Sequence, residues 1–145
     1  MALNPKFSTG LKNALLDGTD MTSMFDGATA QLVMYSGTQP TDADTTEGAG
    51  TVLATIVLPT TNAFAASAVA GAIAKAGTWE DTSADASDTA TWFRIYALST
   101  ETGASTTFRR IDGTVGTATT DIVINNNILT IGDPIVVDTF SVSIE

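Results

Sequence analysis

The sequence predicts an all-β fold, an antiparallel β-sandwich or barrel of about eight short strands with one short N-terminal helix. Three observations predict it. Apolar residues alternate with period two in short runs, beginning at Gln31 and ending at the last strand from Ile135. Clusters of Gly, Asp, Asn and Pro separate these runs at frequent intervals. Thr, Ala, Gly and Ser are abundant, while charged residues make up only 15% of the chain. Residues 1–18 are expected to form a helical arm and residues 19–145 a single β-sandwich domain. A chain of 145 residues is long enough to bury a core without staples.

The helix signal comes first. Asn4 can cap it, Pro5 suits the first helical position and Gly18 can close it. Phe7, Leu11, Ala14 and Leu15 fall on one apolar face. A helix this short is marginal alone and needs a surface to pack against. That surface is either its own domain or a neighbouring subunit. After a loop at Asp17 to Gly27 the period changes to two. Gln31 to Ser36 reads as a strand, with Leu32 and Met34 on one face and Val33 and Tyr35 on the other. Gly37 to Gly50 is a polar turn region. Thr51 to Leu58 is a strand rich in β-branched residues, with Val52, Ala54, Ile56 and Leu58 on one face and Pro59 at its end.

Asn62 to Ala76 is ambiguous, since its alanines favour helix and Gly71 interrupts them. Ala70 to Glu80 is read as a strand of small residues, and Asp81 to Asp88 as an acidic loop. Thr91 to Leu98 is the strongest strand. Phe93, Ile95 and Ala97 point to the core; Trp92, Arg94 and Tyr96 form either a second packed face or an exposed contact surface. Glu101 to Ser105 reads as a turn. Thr106 to Ile111 reads as a strand, and Asp112-Gly113 as a tight turn after it. Asp121 to Ile124 and Ile128 to Ile131 flank a turn at Asn125 to Asn127. Beyond Gly132-Asp133-Pro134, the strand from Ile135 to Ile144 places Val136, Phe140, Val142 and Ile144 on one face.

Charge and composition exclude several functions. Sixteen acidic residues against six basic ones give a formal charge of -10. Such a surface repels phosphate backbones and anionic membranes, so neither nucleic acid nor membrane is an expected partner. The acidity serves solubility, or matches a basic partner surface. With no cysteine and no histidine, disulfides, thiolate sites and Ser-His-Asp or Cys-His catalysis cannot be built. No phosphate-cradling or nucleophile motif appears. Met1 to Gly10 lacks a secretory pattern, and Ala63 to Ala74 is too short and weakly apolar to span a bilayer. Synthesis in the cytoplasm is expected.

The remaining candidates for chemistry are carboxylates. The candidate pairs are Glu80 with Asp81, which would point to opposite faces of a strand and not cooperate, or Glu47 with Glu101. Asp42, Asp44 and Glu47 in one loop, and Asp81, Asp85 and Asp88 in another, lack the spacing of a calcium loop and read as solvated turn residues. Trp79 and Trp92 read as packing residues rather than a sugar platform. Arg109-Arg110 would face opposite sides of a strand and make no phosphate clamp. Arg94 between Trp92 and Tyr96 can form a stacked cation–aromatic cluster. No enzyme, cofactor or metal site is expected.

The segments STGLKNALLDG, LVMYSGTQPTDADTTEGAGTVLATIVLP, AKAGTW and ATWFRIYA, followed by the Asp112-Gly113 pair, resemble a group of small virion proteins of tailed bacteriophages. The resemblance spans Ser8 to Thr114 and rests mainly on YSGTQPTDAD and TWFRIYA. Structurally known members of the group are head decoration, or cement, proteins with a jelly-roll fold. The resemblance implies a protein on the capsid surface of the virion, made in the host cytoplasm, that binds the major capsid protein. It also implies self-association as a dimer or trimer. Strand facing and amphipathicity then nominate Phe7, Leu11, Leu15, Trp92, Arg94 and Tyr96 as partner contacts. Two alternatives stand beside this: a tail, neck or fibre-base component, and a carbohydrate-binding or adhesion module.

Overall fold

Ser8 decides where the first helix begins. Its hydroxyl oxygen accepts the Leu11 N–H at 3.2 Å and the Arg110 N–H at 2.9 Å, and its hydroxyl donates to the Phe108 carbonyl at 2.7 Å. One buried side chain thus caps helix α1 (Thr9–Leu16) and ties it to the sheet. The structure, a computed structural model, describes residues 5–143. The expected Asn4 cap lies outside the described residues. Pro5 does not open the helix; the chain beside it runs extended as β1 (Lys6–Phe7), pairing Phe7 with Ile111. Tertiary pairing here overrides the local helix signal. Replacing Ser8 with Ala is expected to cost about 1–2 kcal/mol in a denaturant melt.

The remaining elements are α2 (Met21–Phe25), β2 (Gln31–Tyr35), β3 (Val52–Val57), β4 (Ala72–Ala74), β5 (Glu80–Asp81), β6 (Asp88–Thr89), β7 (Trp92–Tyr96), β8 (Arg110–Gly116), β9 (Ile122–Ile124), β10 (Ile128–Leu129) and β11 (Ile135–Ser143). The fold is β-rich as expected, with two short helices rather than one. The main sheet runs β3-β2-β7-β8-β9-β11-β4, with β1 added to β8 and β5 to β11. It is mixed rather than antiparallel, because β8 and β9 run parallel. The Asp121 carboxylate holds their short connection, accepting from the Thr114 N–H at 2.8 Å and its hydroxyl at 2.9 Å. The sheet curls on itself. Phe93 of β7 meets Phe140 of β11 edge-to-face at 5.5 Å, though β8 and β9 lie between those strands. The core fills the inside of the curl, where Phe25, Phe64, Trp79 and Phe140 interlock with the aliphatic faces of β2, β3, β8 and β9.

Where the strands depart from expectation, a bulge or a close approach is the cause. In β3 the register shifts opposite Met34 and Tyr35, so Leu53 and Ala54 are both buried while Val52 is exposed. In β11 a shift between Val137 and Thr139 changes the inward face: Ile135 and Val137 are buried before it, Phe140 and Val142 after it, and Val136 is exposed. Ile144 lies outside the described residues. Asp112-Gly113 is no turn but the middle of β8. A β-carbon on Gly113 would sit 2.6 Å from a Phe93 ring carbon and 2.9 Å from Asp121, so the glycine makes room for the ring. Ala70 to Glu80 is not one strand. Ala70 and Gly71, both at positive φ, turn a tight hairpin between Val69 and Ala72 before β4.

Both sheet edges are covered. On β3, the Thr55 N–H donates to the Asp81 carboxylate at 3.1 Å, and the Leu53 carbonyl accepts from the Asp85 N–H at 2.8 Å. On β4, the Ala74 carbonyl accepts from the Ala65 N–H, and the Ala76 N–H donates to Ala63. Covered edges do not template further strands.

Candidate functional site

The outer face of the sheet carries a second, polar-aromatic cluster. Register sets it up: Tyr35 pairs with Trp92, Arg94 with Asp112 and Tyr96 with Arg110 across β2, β7 and β8. Directly opposed residues share a face, so aromatics and charges line up on one side. Tyr35 and Trp92 stack at 4.2 Å between ring centroids. Arg94 grips the Asp112 carboxylate with two bonds of 2.7 Å, and both side chains are wholly buried. The third arm of Arg94 reaches the Thr45 carbonyl at 2.8 Å and Glu47 at 3.4 Å. Tyr96 donates to Glu47 at 2.9 Å, and its oxygen lies 2.8 Å from that of Tyr35. Glu47 also accepts the Gly103 N–H. Arg110 donates to the carbonyls of Thr45 and Gly103 at 3.3 and 2.6 Å, and its guanidinium lies over the Phe108 ring.

The chemistry of this cluster is structural. Two arginines face two carboxylates, so its formal charge cancels. Burial works against the Glu47 charge, but hydrogen bonds from its own N–H, the Tyr96 hydroxyl and the Gly103 N–H, together with Arg94, hold its pKa below the usual 4.5. Burial pushes the Asp112 carboxyl up, against the opposing pull of Arg94. Burial also raises both Tyr35 and Tyr96, the latter further through its bond to Tyr35. The phenols therefore stay neutral around neutral pH, and the groups act as fasteners. They clamp the turn regions around residues 41–47 and 101–105 onto the sheet. Asp44 adds to the clamp by accepting the Thr9 N–H and hydroxyl at 2.8 and 2.6 Å.

The lowered Glu47 pKa has a measurable consequence. Its folded value lies below its unfolded value, so its stabilisation is complete above the unfolded value and drains away as pH falls through the folded one. Asp112, shifted upward, works in the opposite sense, since the folded state takes up its proton more readily. Removing Glu47 should therefore flatten the acid limb. The expected result is a urea midpoint that falls less between about pH 5 and about pH 3 in Glu47→Gln than in the unaltered chain.

Four of the six nominated contact residues are buried, and Phe7 and Leu15 are half-buried. Leu11, Trp92 and Arg94 are 0% exposed and Tyr96 is 1% exposed. The outer face of β7 is therefore the second packed face, because the turn region carrying Glu47 covers it. Phe7 packs against the core from β1, not from a helix. Leu15 lines a groove of about 250 Å³ with Met21, Ile73 and Val142, and Leu16 beside it is 85% exposed. Arg109 and Arg110 do point apart: Arg110 joins the buried cluster and Arg109 pairs with Glu101 at 3.2 Å. Glu47 and Asp112 were missed as cluster members, and Ser8 as the cap that fastens the helix to the sheet. The available signal was that Arg94, one of only six cations, sits inside the most strand-like segment and demands a buried carboxylate.

The acidic loops are occupied by local bonds. Asp42 accepts the N–H groups of Asp44 and Thr45, and Asp81 those of Thr55 and Ser83. Among the described residues, no group of three or more carboxylates is placed to hold a metal ion. The chain matches no protein-family model, no curated protein and no solved structure.

Proposed function

We propose that the chain is a non-enzymatic structural protein of a tailed-phage particle: a head decoration protein that binds the outside of the shell and braces contacts between major capsid subunits. One observation carries the reading furthest. The two segments on which the phage resemblance rests, YSGTQPTDAD and TWFRIYA, meet in space through the Tyr35–Trp92 stack, the Trp92 indole N–H donating to the Ser36 carbonyl at 3.3 Å and the Thr91 hydroxyl donating to the Gly37 carbonyl at 2.6 Å. Their residues build a rigid scaffold, which is what a brace needs. Covered sheet edges support the same reading, because a protein held at high local density on a lattice must not polymerise through its own strands. The absence of histidine and cysteine from the sequence supports a non-catalytic role. The finer description of the fold as a jelly roll, and assembly as a dimer or trimer, belong to this proposal.

Antibody labelling of purified particles of the phage encoding the chain, read by electron microscopy, tests it. Label spread over the whole head is expected. Label at one vertex or along the tube makes the chain a tail, neck or fibre-base part, and unlabelled particles overturn the reading.

A further inference from the structure

Residues 80–90 and 127–136 form an irregular antiparallel ribbon along one side of the molecule. Its rungs run from Val136 paired with Glu80, through the Ala84–Asp133 and Ile131–Ser87 bonds, to Ile128 paired with Thr89. The inner side is seated in the core: Ala84, Leu129 and Ile135 are buried. The outer side leaves three large aliphatic residues in solvent, with Ile128 and Ile131 each 66% exposed and Val136 40% exposed. Large aliphatic side chains exposed along one ribbon mark an interaction surface.

The charge around that face selects what covers it. Glu80, Asp85, Asp88 and Asp133 are all exposed on the ribbon, and none forms an ion pair among the described residues. The sequence has no lysine or arginine between Lys75 and Arg94, nor anywhere after Arg110. Of the cations elsewhere, Arg94 and Arg110 are buried and Arg109 is paired with Glu101. The ribbon is therefore lined with exposed aliphatic side chains, and its own charged side chains are all anionic. A second copy of the same face would meet it with like charges, and a phosphate backbone would be repelled.

We infer that this ribbon face docks a protein surface carrying lysines and arginines around an apolar centre. The inference rests on the chain being a particle-bound protein, and it makes the partner a basic patch on another particle component. Aliphatic contact at Ile128, Ile131 and Val136 holds the complex; the carboxylates steer its approach and set its salt sensitivity.

Two measurements on purified particles test it. In the first, a carbodiimide couples carboxylates to lysines, and the linked peptides are identified by mass spectrometry. Links from Glu80, Asp85, Asp88 or Asp133 to a lysine of a different particle protein are expected. In the second, particles lacking the chain are loaded with purified variants. Glu80→Lys with Asp88→Lys, and separately Ile131→Ser, should each weaken loading about tenfold or more near physiological salt. Glu80→Gln with Asp88→Asn should fall between, with unchanged melting temperature showing that the fold is intact. If the chain is present on particles but the variants load normally and the links arise from other carboxylates, the ribbon is not the docking face, and the particle assignment stands. If the chain is absent from particles, the particle assignment fails and this inference falls with it.

Discussion

Exchange of Arg94 for Met is expected to lower the unfolding free energy by about 3–5 kcal/mol. A domain of this kind has only about 5–15 kcal/mol in total, so the loss removes a large part of its stability. The reason is what remains behind. Asp112 is wholly buried and receives two 2.7 Å bonds from Arg94. Without the guanidinium, the Asp112 charge is stranded between β7 and β8, and the Thr45 carbonyl loses its shortest donor. The sign reverses for the pair as a whole. Arg94→Met combined with Asp112→Leu removes both charges, and well-packed apolar residues often replace a buried ion pair at little cost. Most of the loss should then be recovered, although Glu47 is left with its own N–H, Tyr96, Gly103 and the more distant Arg110 as partners. Urea unfolding of the two single variants and the double variant measures the coupling. A single Arg94→Met variant that loses less than about 1 kcal/mol would falsify the view that this pair is the fastener.

Gly10→Ala is the second large effect, and its sign opposes helix propensity. Gly10 lies inside α1, where alanine is ordinarily better by about 0.8–1 kcal/mol. Here a β-carbon would lie 2.4 Å from both the carbonyl carbon and oxygen of Thr107, and 2.5 Å from the Phe108 oxygen. Those are backbone atoms, held by the Ser8–Phe108 and Glu101–Arg109 bonds, and they cannot swing aside as a side-chain tip can. The helix must lift off the sheet, which pulls Leu11 from the core. A net loss of about 2–3 kcal/mol is expected once the propensity gain is subtracted from the strain of overpacking. Thermal melting measures it, and an equal or higher melting temperature would show that the 107–108 backbone yields.

Legibility in the sequence followed the range of the interaction. β2 and β7 were readable with their faces, because strict alternation puts Leu32, Met34, Phe93 and Ile95 on the core side whatever else happens. The faces of β3 and β11 were readable on one side of a bulge only: Ala54, Ile56 and Leu58, and Phe140 and Val142, point inward together, while Val52 and Val136 do not, because one extra residue at a bulge flips every side chain beyond it and leaves no local mark. Asp112-Gly113 is a turn signal whenever its neighbours permit a turn; here Arg94 and the Phe93 ring, remote in sequence, claim the two residues for a strand. The buried cluster was half visible. Arg94 and Tyr96 were singled out, but their partner Glu47 looked like any other acid in a polar turn region. The parallel β8–β9 pair depends on a connection too short to predict as a crossover.

The Ser8 fastening has a temporal consequence. Its bond to the Arg110 amide spans 102 positions of chain. A nascent polypeptide cannot close that loop until Arg110 has left the ribosome, and β11 emerges later still. Until then the apolar sides of β2, β3 and β7 wait uncovered. Topologies ruled by such distant pairings mature over milliseconds to seconds rather than microseconds, so crowding during synthesis is when this chain is most exposed to self-adhesion.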